Sequence, residues 1–241
     1  MTHIKPIPAK TNSKKEQVEE MFDNISPKYD FLNHFLSLGI DNIWRKKCVN
    51  TLKVINPKTI LDIATGTGDL AIASLKLNPD KVTGLDLSAG MLEKGREKMK
   101  KKGFEDTIEM IKGDSENLPF DDNSYDASTV GFGVRNFENL EKGLMEINRV
   151  IKKGGKISIL EFSRPTNPVF KALYNFYFLR ILPLFGKLFS SSNSAYTYLP
   201  KSVQAFPDGE DFLKVLNKCG FTNTTATPLT FGICTIYTGI K

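Results

Sequence analysis

The sequence predicts an α/β fold in which helices cover both faces of a mostly parallel, doubly wound sheet. From residue 59 to residue 161, apolar strand-like segments alternate with helical segments. This alternation is typical of parallel strands joined by right-handed crossovers. A chain of 241 residues, 40% of them hydrophobic, has enough apolar material for one core, so we expect a single domain.

The predicted elements follow in order along the chain. Helices are expected over 15–24, 28–37 and 41–54, before Pro57. Strands over 59–63, 81–86, 107–111, 125–130 and 156–161 then alternate with helices over 69–77, 89–102 and 139–151. Turn residues separate them at Asn78-Pro79, Gly103, Leu118-Pro119 and Gly154-Gly155. An aromatic-rich helix over 167–189 and a serine-rich loop precede a last helix over 208–218 and strands over 221–227 and 231–239.

This order divides the single domain into five regions. We expect a flexible lead-in over 1–13 and an N-terminal helical cap over 14–56. A cofactor-binding core over 57–163 and a helical lid or insertion over 164–206 follow. The closing helix and strands occupy 207–241.

The composition narrows the classes of protein to which the chain can belong. Two histidines and three scattered cysteines predict neither a metal site nor a disulfide framework, which indicates a reducing cytoplasm. We find no pattern of a signal peptide and no uncharged run long enough to cross a bilayer. The net charge is +6, and the chain from Phe162 to Pro207 contains no Asp or Glu. We therefore expect a cytoplasmic protein.

The stretch LDIATGTGDL, which begins at residue 61, predicts a strand, a glycine-rich turn and a helix. It fits the loose pattern of dinucleotide-binding turns, but acidic residues flank it on both sides. They would repel a pyrophosphate at the start of the helix, whereas they favour the sulfonium and ammonium of S-adenosylmethionine. The sequence therefore predicts a site for S-adenosylmethionine at Asp62, Gly66, Thr67, Gly68 and Asp69.

Two more acidic residues follow the next strands, at the sheet edge where ligands of α/β folds bind. Asp86 ends the second strand, and its carboxylate is placed to accept both ribose hydroxyls. Asp114 follows the third strand, where its side chain or the Ser115 amide would meet the adenine. Each acid alone has an alternative interpretation as a helix N-cap or a turn residue. Their common position at one edge favours the cofactor site.

Two longer stretches carry a family resemblance. YDFLNHFLSLGIDNIW, from residue 29, and RVIKKGGKISILEFS, from residue 149, resemble the two signatures of the ubiquinone/menaquinone biosynthesis C-methyltransferases. These are class I S-adenosylmethionine-dependent methyltransferases, and the resemblance covers nearly the whole chain. Leu32 and Lys153 depart from the usual pattern. Asp41 stands where the family usually has histidine, and a carboxylate would exchange protons over a different pH range.

The resemblance implies C-methylation of a prenylated hydroquinone, most simply demethylmenaquinol to menaquinol. A ubiquinone precursor is the alternative within the family. Arg135 and Asn136, in GFGVRN, would stabilise the ionised ring hydroxyl, with Tyr29 from the cap. Asp30, Asn33 and His34 also lie in the cap that would close over the site. Arg135 could instead pair with an acid such as Asp126, and Tyr29 or His34 could be packing residues.

The aromatic stretch from Pro168 to Phe189 contains basic residues and no acids. Apolar side chains continue around the predicted helix, which suits a polyprenyl tail and a weak peripheral contact with an anionic membrane. Packing in a homodimer is the alternative interpretation. Other functions remain open: a methyltransferase of another small molecule or of RNA, or a non-catalytic nucleotide-binding module. We expect no nucleic-acid partner, because RNA would leave these aromatic side chains without a purpose.

Overall fold

The computed structural model describes residues 4–37, 39–176 and 194–241. Its centre is a seven-stranded sheet in the order β3-β2-β1-β4-β5-β7-β6. The strands are β1 (Thr59–Ile63), β2 (Lys81–Asp86), β3 (Ile108–Lys112), β4 (Tyr125–Gly131), β5 (Ile151–Phe162), β6 (Thr222–Leu229) and β7 (Cys234–Ile240). The first five pair in parallel, and β7 is antiparallel to both β5 and β6. The predicted fold class is confirmed.

Helices precede the sheet and cover it. They are α1 (Lys14–Ile25), α2 (Tyr29–Leu36), α3 (Ile40–Asn50), α4 (Asp69–Ser74), α5 (Ala89–Lys102), α6 (Leu140–Val150), α7 (Pro168–Phe176), α8 (Ser194–Ala205) and α9 (Glu210–Lys218). A reciprocal capping box fixes the start of α1: the Ser13 hydroxyl accepts from the Glu16 amide, and the Glu16 carboxylate accepts from the Ser13 amide.

The alternation of side chains along each strand creates one apolar layer on each face of the sheet. In β1, Leu61 and Ile63 join a cluster with Leu144 of α6 and Phe212 of α9. Ile60 points to the other face and joins a cluster with residues of α4 and α5. Helices therefore cover both faces, and the carboxyl edge of the parallel strands stays open for a ligand.

Most predicted elements agree with the structure to within two residues. Two bounds are three residues away: helix α4 ends at Ser74, before a 3-10 turn at Leu75–Leu77, and strand β7 begins at Cys234. Helix α3 ends at Asn50, and a separate 3-10 turn covers Lys53–Ile55, so the prediction of one helix to residue 54 was wrong. Helix α8 was not predicted, because Pro200 stands inside it and discourages a helix assignment. The aromatic helix is confirmed only over α7, since residues 177–189 lie outside the described residues.

Another difference is at Gly154 and Gly155, where the sequence predicted a turn before the strand. Strand β5 already begins at Ile151, and its pairing with β4 jumps from Tyr125↔Ile151 to Ala127↔Lys156. The two glycines lie in this irregularity. A side chain at Gly155 would come within 2.6 Å of the Asp126 carbonyl oxygen, so only glycine fits there.

Helix α7 presents apolar side chains at its surface. Val169 and Phe176 are 65% and 61% exposed and lie seven residues apart, on one face of the helix. Lys171, on the same helix, is also exposed. Across the described ranges, we find no helix with the length and apolar character needed to cross a membrane.

We predict that Leu144→Ala destabilises the fold much more than Met145→Ala, although both residues lie in α6. Leu144 is fully buried between α6 and the sheet, whereas Met145 is 47% exposed. A cavity at Leu144 should lower the free energy of unfolding by about 2–5 kcal/mol. The exposed control should change it by less than about 0.5 kcal/mol. Urea unfolding followed by circular dichroism measures both, and equal losses would contradict the assignment of the core.

Candidate active site

A cleft lies at the carboxyl ends of β1 to β4, beneath α1. It has an empty volume of about 710 Å³, which includes the open space at its mouth. We call it the main cleft. Its lining includes several residues predicted for the cofactor or for chemistry: Tyr29, Gly66, Asp86, Asp114, Ser115 and Asn136.

The glycine turn is held against the end of β2 by one carboxylate. Gly66 and Gly68 both have positive φ angles, of 57° and 86°, which glycine adopts without strain. The Gly66 amide donates to Asp86 Oδ2 at 2.8 Å, and the Ser88 amide donates to Asp86 Oδ1 at 2.9 Å. The amide that a dinucleotide phosphate would use is therefore already bonded to a carboxylate. Burial raises the pKa of Asp86, and the two amides oppose that shift.

Asp62 lies beneath the turn and is fully buried. Thr65 Oγ1 donates to one carboxylate oxygen at 2.5 Å, and Thr129 Oγ1 donates to the other at 2.6 Å. Burial raises its pKa to about 6, although both hydroxyls oppose the shift. Asp62 thus shapes the turn from below and adds negative charge under the cleft.

Thr67 and Asp69 are tied to the cap by a lysine from α5. Lys98 Nζ donates to Thr67 Oγ1 at 2.9 Å and to Asp69 Oδ1 at 2.8 Å. The same ammonium lies 2.5 Å from Asp30 Oδ2, and Thr67 Oγ1 donates to the other oxygen of Asp30 at 2.5 Å. These contacts fix α2, and with it Tyr29, against the glycine turn.

Asp114 and Ser115 lie at the α1 side of the main cleft. Lys15 Nζ is 2.5 Å from Asp114 Oδ2, and the Glu116 amide donates to Asp114 Oδ1 at 2.9 Å. The lysine closes the cleft beside the residues predicted to meet the adenine. Asp23 makes a second link from α1, because its Oδ1 accepts from Ser88 Oγ at 2.6 Å and from the Gly90 amide at 2.9 Å.

A side cleft of about 360 Å³ adjoins the main cleft on the other side of the glycine turn. The two clefts share Tyr29 and Gly66, and the side cleft is also lined by Asp62, Thr67, Asp69 and Arg45. The buried Arg45 pairs with Asp41 one turn earlier in α3, and its Nη2 lies 3.7 Å from Asp69 Oδ2. Asp41, the departure from the family histidine, therefore holds Arg45 and also accepts from Ser37 Oγ at 2.7 Å.

Arg135 lies in a short 3-10 turn, Val134–Asn136, that follows β4. It pairs with Glu161 rather than with Asp126: Arg135 Nη1 donates to Glu161 Oε1 at 2.8 Å. Asp126 instead accepts from the Lys58 and Thr59 amides and pairs with Lys152. Arg135 lines neither of these two clefts; it lines a third cleft together with Tyr198 and Ser202 of α8, and this third cleft shares Phe137 and Glu138 with the main cleft.

Asn136 and Tyr29 both line the main cleft. Asn136 Oδ1 is buried and accepts no hydrogen bond from the described part of the chain. An orphaned acceptor of this kind calls for a ligand or a water. Burial raises the pKa of Tyr29, and a hydrogen bond from Asn33 opposes the shift, so the phenol stays protonated at neutral pH.

The structure brings most of the predicted site residues to the two clefts, with two exceptions. Gly68 and Arg135 line neither of them. The side chain of His34 lies outside the described residues. Sequence reasoning missed the partners that hold the site, namely Lys15, Asp23, Arg45, Lys98 and Glu161. Only Glu161 had a signal, since it belongs to the stretch RVIKKGGKISILEFS; the others are charged helical residues without a motif.

The residues present fit S-adenosylmethionine. Acidic side chains outnumber basic ones around both clefts, which suits a ligand with a sulfonium and an ammonium. Asp86 would hold the ribose, the Asp114–Ser115 segment the adenine, and Asp62 and Asp69 the amino-acid end.

Solved structures share this architecture. An S-adenosylmethionine-dependent methyltransferase of Thermotoga maritima superposes with a TM-score of 0.66 at 20% identity, covering 92% of this chain and 99% of that one. Another from Aquifex aeolicus gives a TM-score of 0.55 at 18% identity, covering 76% and 81%. These likenesses show the fold.

Sequence comparison narrows the class to one family. The profile of the ubiE/COQ5 methyltransferase family matches residues 10–241, so the chain belongs to that family. The protein is therefore a class I methyltransferase, and its cofactor is S-adenosylmethionine. A Bacteroides fragilis relative named demethylmenaquinone methyltransferase is 50% identical over 99% of this chain and 97% of its own. A Geotalea daltonii relative named ubiquinone/menaquinone biosynthesis C-methyltransferase UbiE is 46% identical over 96% and 99%. The resemblance predicted from the two signatures is confirmed.

We predict that Asp86→Ala weakens S-adenosylmethionine binding by roughly 1–3 kcal/mol, because it removes a hydrogen-bonding carboxylate and frees the glycine turn. Asp80→Ala is the matched control, since Asp80 precedes the opposite end of β2 and its side chain is 75% exposed. Isothermal titration calorimetry with S-adenosylmethionine and with its demethylated product measures both. Unchanged affinity in Asp86→Ala would show that this carboxylate does not bind the cofactor.

Proposed function

We propose that the protein methylates a ring carbon of a prenylated hydroquinone and that its substrate is demethylmenaquinol, which becomes menaquinol. One observation above all supports this substrate: the relative named demethylmenaquinone methyltransferase is 50% identical over 99% of this chain. A Chlorobaculum tepidum relative of the same name is 46% identical over 94%. Because other relatives are named for ubiquinone as well, a ubiquinone precursor is the second candidate.

The reaction sets three physical requirements for the chain. S-adenosylmethionine supplies a methyl group bonded to a positively charged sulfur. The ring carbon becomes strongly nucleophilic when a neighbouring hydroxyl loses its proton, so the site must stabilise an anionic ring oxygen. It must also align the ring and exclude water, because opposite charges disappear in the transfer.

Arg135 is the residue best suited to stabilise that oxygen. A guanidinium offers several N–H donors in a fixed plane, which suits an anionic oxygen. Nη1 and Nε are engaged within the protein, whereas Nη2 donates to no acceptor in the part of the chain that the structure describes. Two N–H groups therefore remain for a negatively charged ring oxygen.

Tyr29 and Asn136 complete the proposed site. The protonated Tyr29 phenol donates a second hydrogen bond to the ring, and the unpartnered Asn136 Oδ1 accepts one from a ring hydroxyl. Both residues line the main cleft, so a ring between them lies beside the cofactor. Aromatic packing keeps this end of the site dry: the Phe132 and Phe162 ring centroids are 4.5 Å apart, and Trp44 packs on Phe162.

The polyprenyl tail of such a substrate remains in the bilayer, so we infer that the enzyme visits the membrane surface. The exposed face of α7 supports this inference with Val169, Phe176 and the cation of Lys171. Phe231, from the turn between β6 and β7, is 66% exposed and stacks on Phe170 with ring centroids 3.9 Å apart. Apolar side chains beside a cation, in a region without acids, suit an anionic lipid surface.

The proposed substrate is tested with purified protein, methyl-labelled S-adenosylmethionine and two reduced quinols with equal prenyl tails. We expect label in the demethylated naphthoquinol at a higher kcat/KM than in the benzoquinol. Total RNA, which tests the alternative of an RNA methyltransferase, should take up no label. Faster methylation of the benzoquinol would favour a ubiquinone precursor. Methylation of RNA alone, or of neither quinol, would overturn the proposal.

We predict weak, salt-sensitive binding to anionic vesicles, because each basic side chain near such a surface contributes only about 1 kcal/mol. Lys171→Glu combined with Arg180→Glu should abolish cosedimentation and lower activity on a long-tailed quinol, while a short-tailed quinol is spared; Arg180 lies outside the described residues. Lys101→Glu with Lys102→Glu, the same charge change on exposed positions of α5, is the control. Unchanged vesicle binding with equal losses on both quinols would instead indicate homodimer or core packing.

A further inference from the structure

Glu161 is a charged residue that the cofactor site does not use. It lies near the end of β5, in one of the two signature stretches, and its side chain is fully buried. Oε1 accepts from Arg135 Nη1 at 2.8 Å and from the Phe162 amide at 2.9 Å. Oε2 lies 3.4 Å from the Arg135 amide nitrogen, which donates to it. The carboxylate therefore binds both the side chain and the backbone of Arg135.

The Arg135 side chain is also held by two further neighbours. Nη1 donates to the Phe132 carbonyl, and Nε donates to Ser202 Oγ of α8 at 3.3 Å. The guanidinium carbon lies 5.7 Å from the centre of the Phe162 ring. These contacts fix the plane of the guanidinium, and within the described ranges they leave Nη2 as its unengaged nitrogen.

A buried ion pair of this kind is a poor stabilising device. Removing two charges from water costs more free energy than many such pairs recover, and apolar residues of similar volume often serve stability equally well. Burial raises the pKa of Glu161 and the neighbouring guanidinium lowers it, which shows the same competition. The pair is better explained by what it does to Arg135.

We propose that Glu161 is a positioning residue for methyl transfer: it orients the Arg135 guanidinium so that Nη2 meets the ring oxygen of the substrate. This inference rests on the proposed function. Glu161 lines none of the described clefts, so it acts through Arg135 and does not touch the substrate. The carboxylate also balances the guanidinium charge, so the substrate oxygen meets a fixed donor rather than a mobile cation.

A double-mutant cycle tests this role in the full-length enzyme with reduced demethylmenaquinol. Glu161→Ala should lower kcat by about 100-fold, because a misplaced catalytic group of this kind costs that factor. The KM for S-adenosylmethionine should change by less than about twofold, since Glu161 makes no contact that binds the cofactor in the ground state. In the Arg135→Ala background, the same substitution should change kcat by less than about threefold, because partners that act as one unit are not additive.

Two further variants keep the test decisive if Glu161→Ala folds poorly. Glu161→Gln retains an acceptor for Nη1, so it should keep more activity than Glu161→Ala, and its remaining loss should also vanish in Arg135→Ala. The double variant removes both charges and avoids a lone buried guanidinium. Glu146→Gln, which breaks the distant pair with Arg149, is the control and should retain wild-type kcat.

Each result separates this inference from the proposed function. If the wild-type enzyme methylates no quinol, the proposed function is wrong. If the wild type is active but Glu161→Ala costs the same factor with and without Arg135, Glu161 acts independently and the inference is overturned. If Glu161→Ala both raises the KM for S-adenosylmethionine and lowers the melting temperature, the inference is also overturned, because Glu161 would then be structural.

Discussion

The geometry of the site depends on the two hydrogen bonds that Asp86 accepts from the Gly66 and Ser88 amides. They join the turn after β1 to the turn after β2, across the parallel pairing that ends at Ile63↔Leu85. Positive φ angles at Gly66 and Gly68 let the chain bend towards that carboxylate. Because the same carboxylate has further lone pairs, it can bind a ligand while it holds the turn. The Asp86 carboxylate thus shapes the turn and leaves lone pairs that can meet a ligand. Because the Gly66 amide already donates to this carboxylate, that amide is not available to a phosphate.

The charges around the clefts follow a common arrangement. Acidic side chains line the space for the cofactor, and several of them pair with a cation. Lys15 pairs with Asp114, Lys98 pairs with Asp69, and Arg45 lies between Asp41 and Asp69. Lys15 joins α1 to the loop after β3, Arg45 joins α3 to the start of α4, and Lys98 of α5 also pairs with Asp30 of α2. These ion pairs dock the N-terminal helices onto the core beside the clefts.

Sequence reasoning succeeded where a local pattern carries the information. Strand periodicity predicts the bounds of β1 and β2, and turn chemistry predicts the glycine turn. Both signals come from residues close together in the sequence, and the position of Asp86 at the end of β2 follows from them. The partners of Arg135 could not be predicted in this way, because Glu161 and Ser202 come from elements 26 and 67 residues away. The sequence offered Asp126 as an alternative partner for Arg135. In the structure, the Asp126 carboxylate instead accepts hydrogen bonds from the Lys58 and Thr59 amides. Helix α8 was missed because local propensity at Pro200 opposes it, and tertiary packing of Tyr198 and Val203, both buried, outweighs that preference.

The turn Val134–Asn136 contacts the N-terminal cap, the sheet and helix α8. Lys14, the first residue of α1, donates to the carbonyls of Arg135 and Phe137 at 3.0 and 2.7 Å. Burial and the nearby Arg135 guanidinium lower the pKa of Lys14 to about 8, so placing this ammonium here costs free energy. Ser202 reaches Arg135 from the insertion, and Glu161 reaches it from the sheet. Three separate regions thus hold one short turn, so a displacement of either the cap or α8 is transmitted to the guanidinium. The position of the Arg135 side chain is therefore set jointly by the cap, the sheet and α8, and not by its own turn alone.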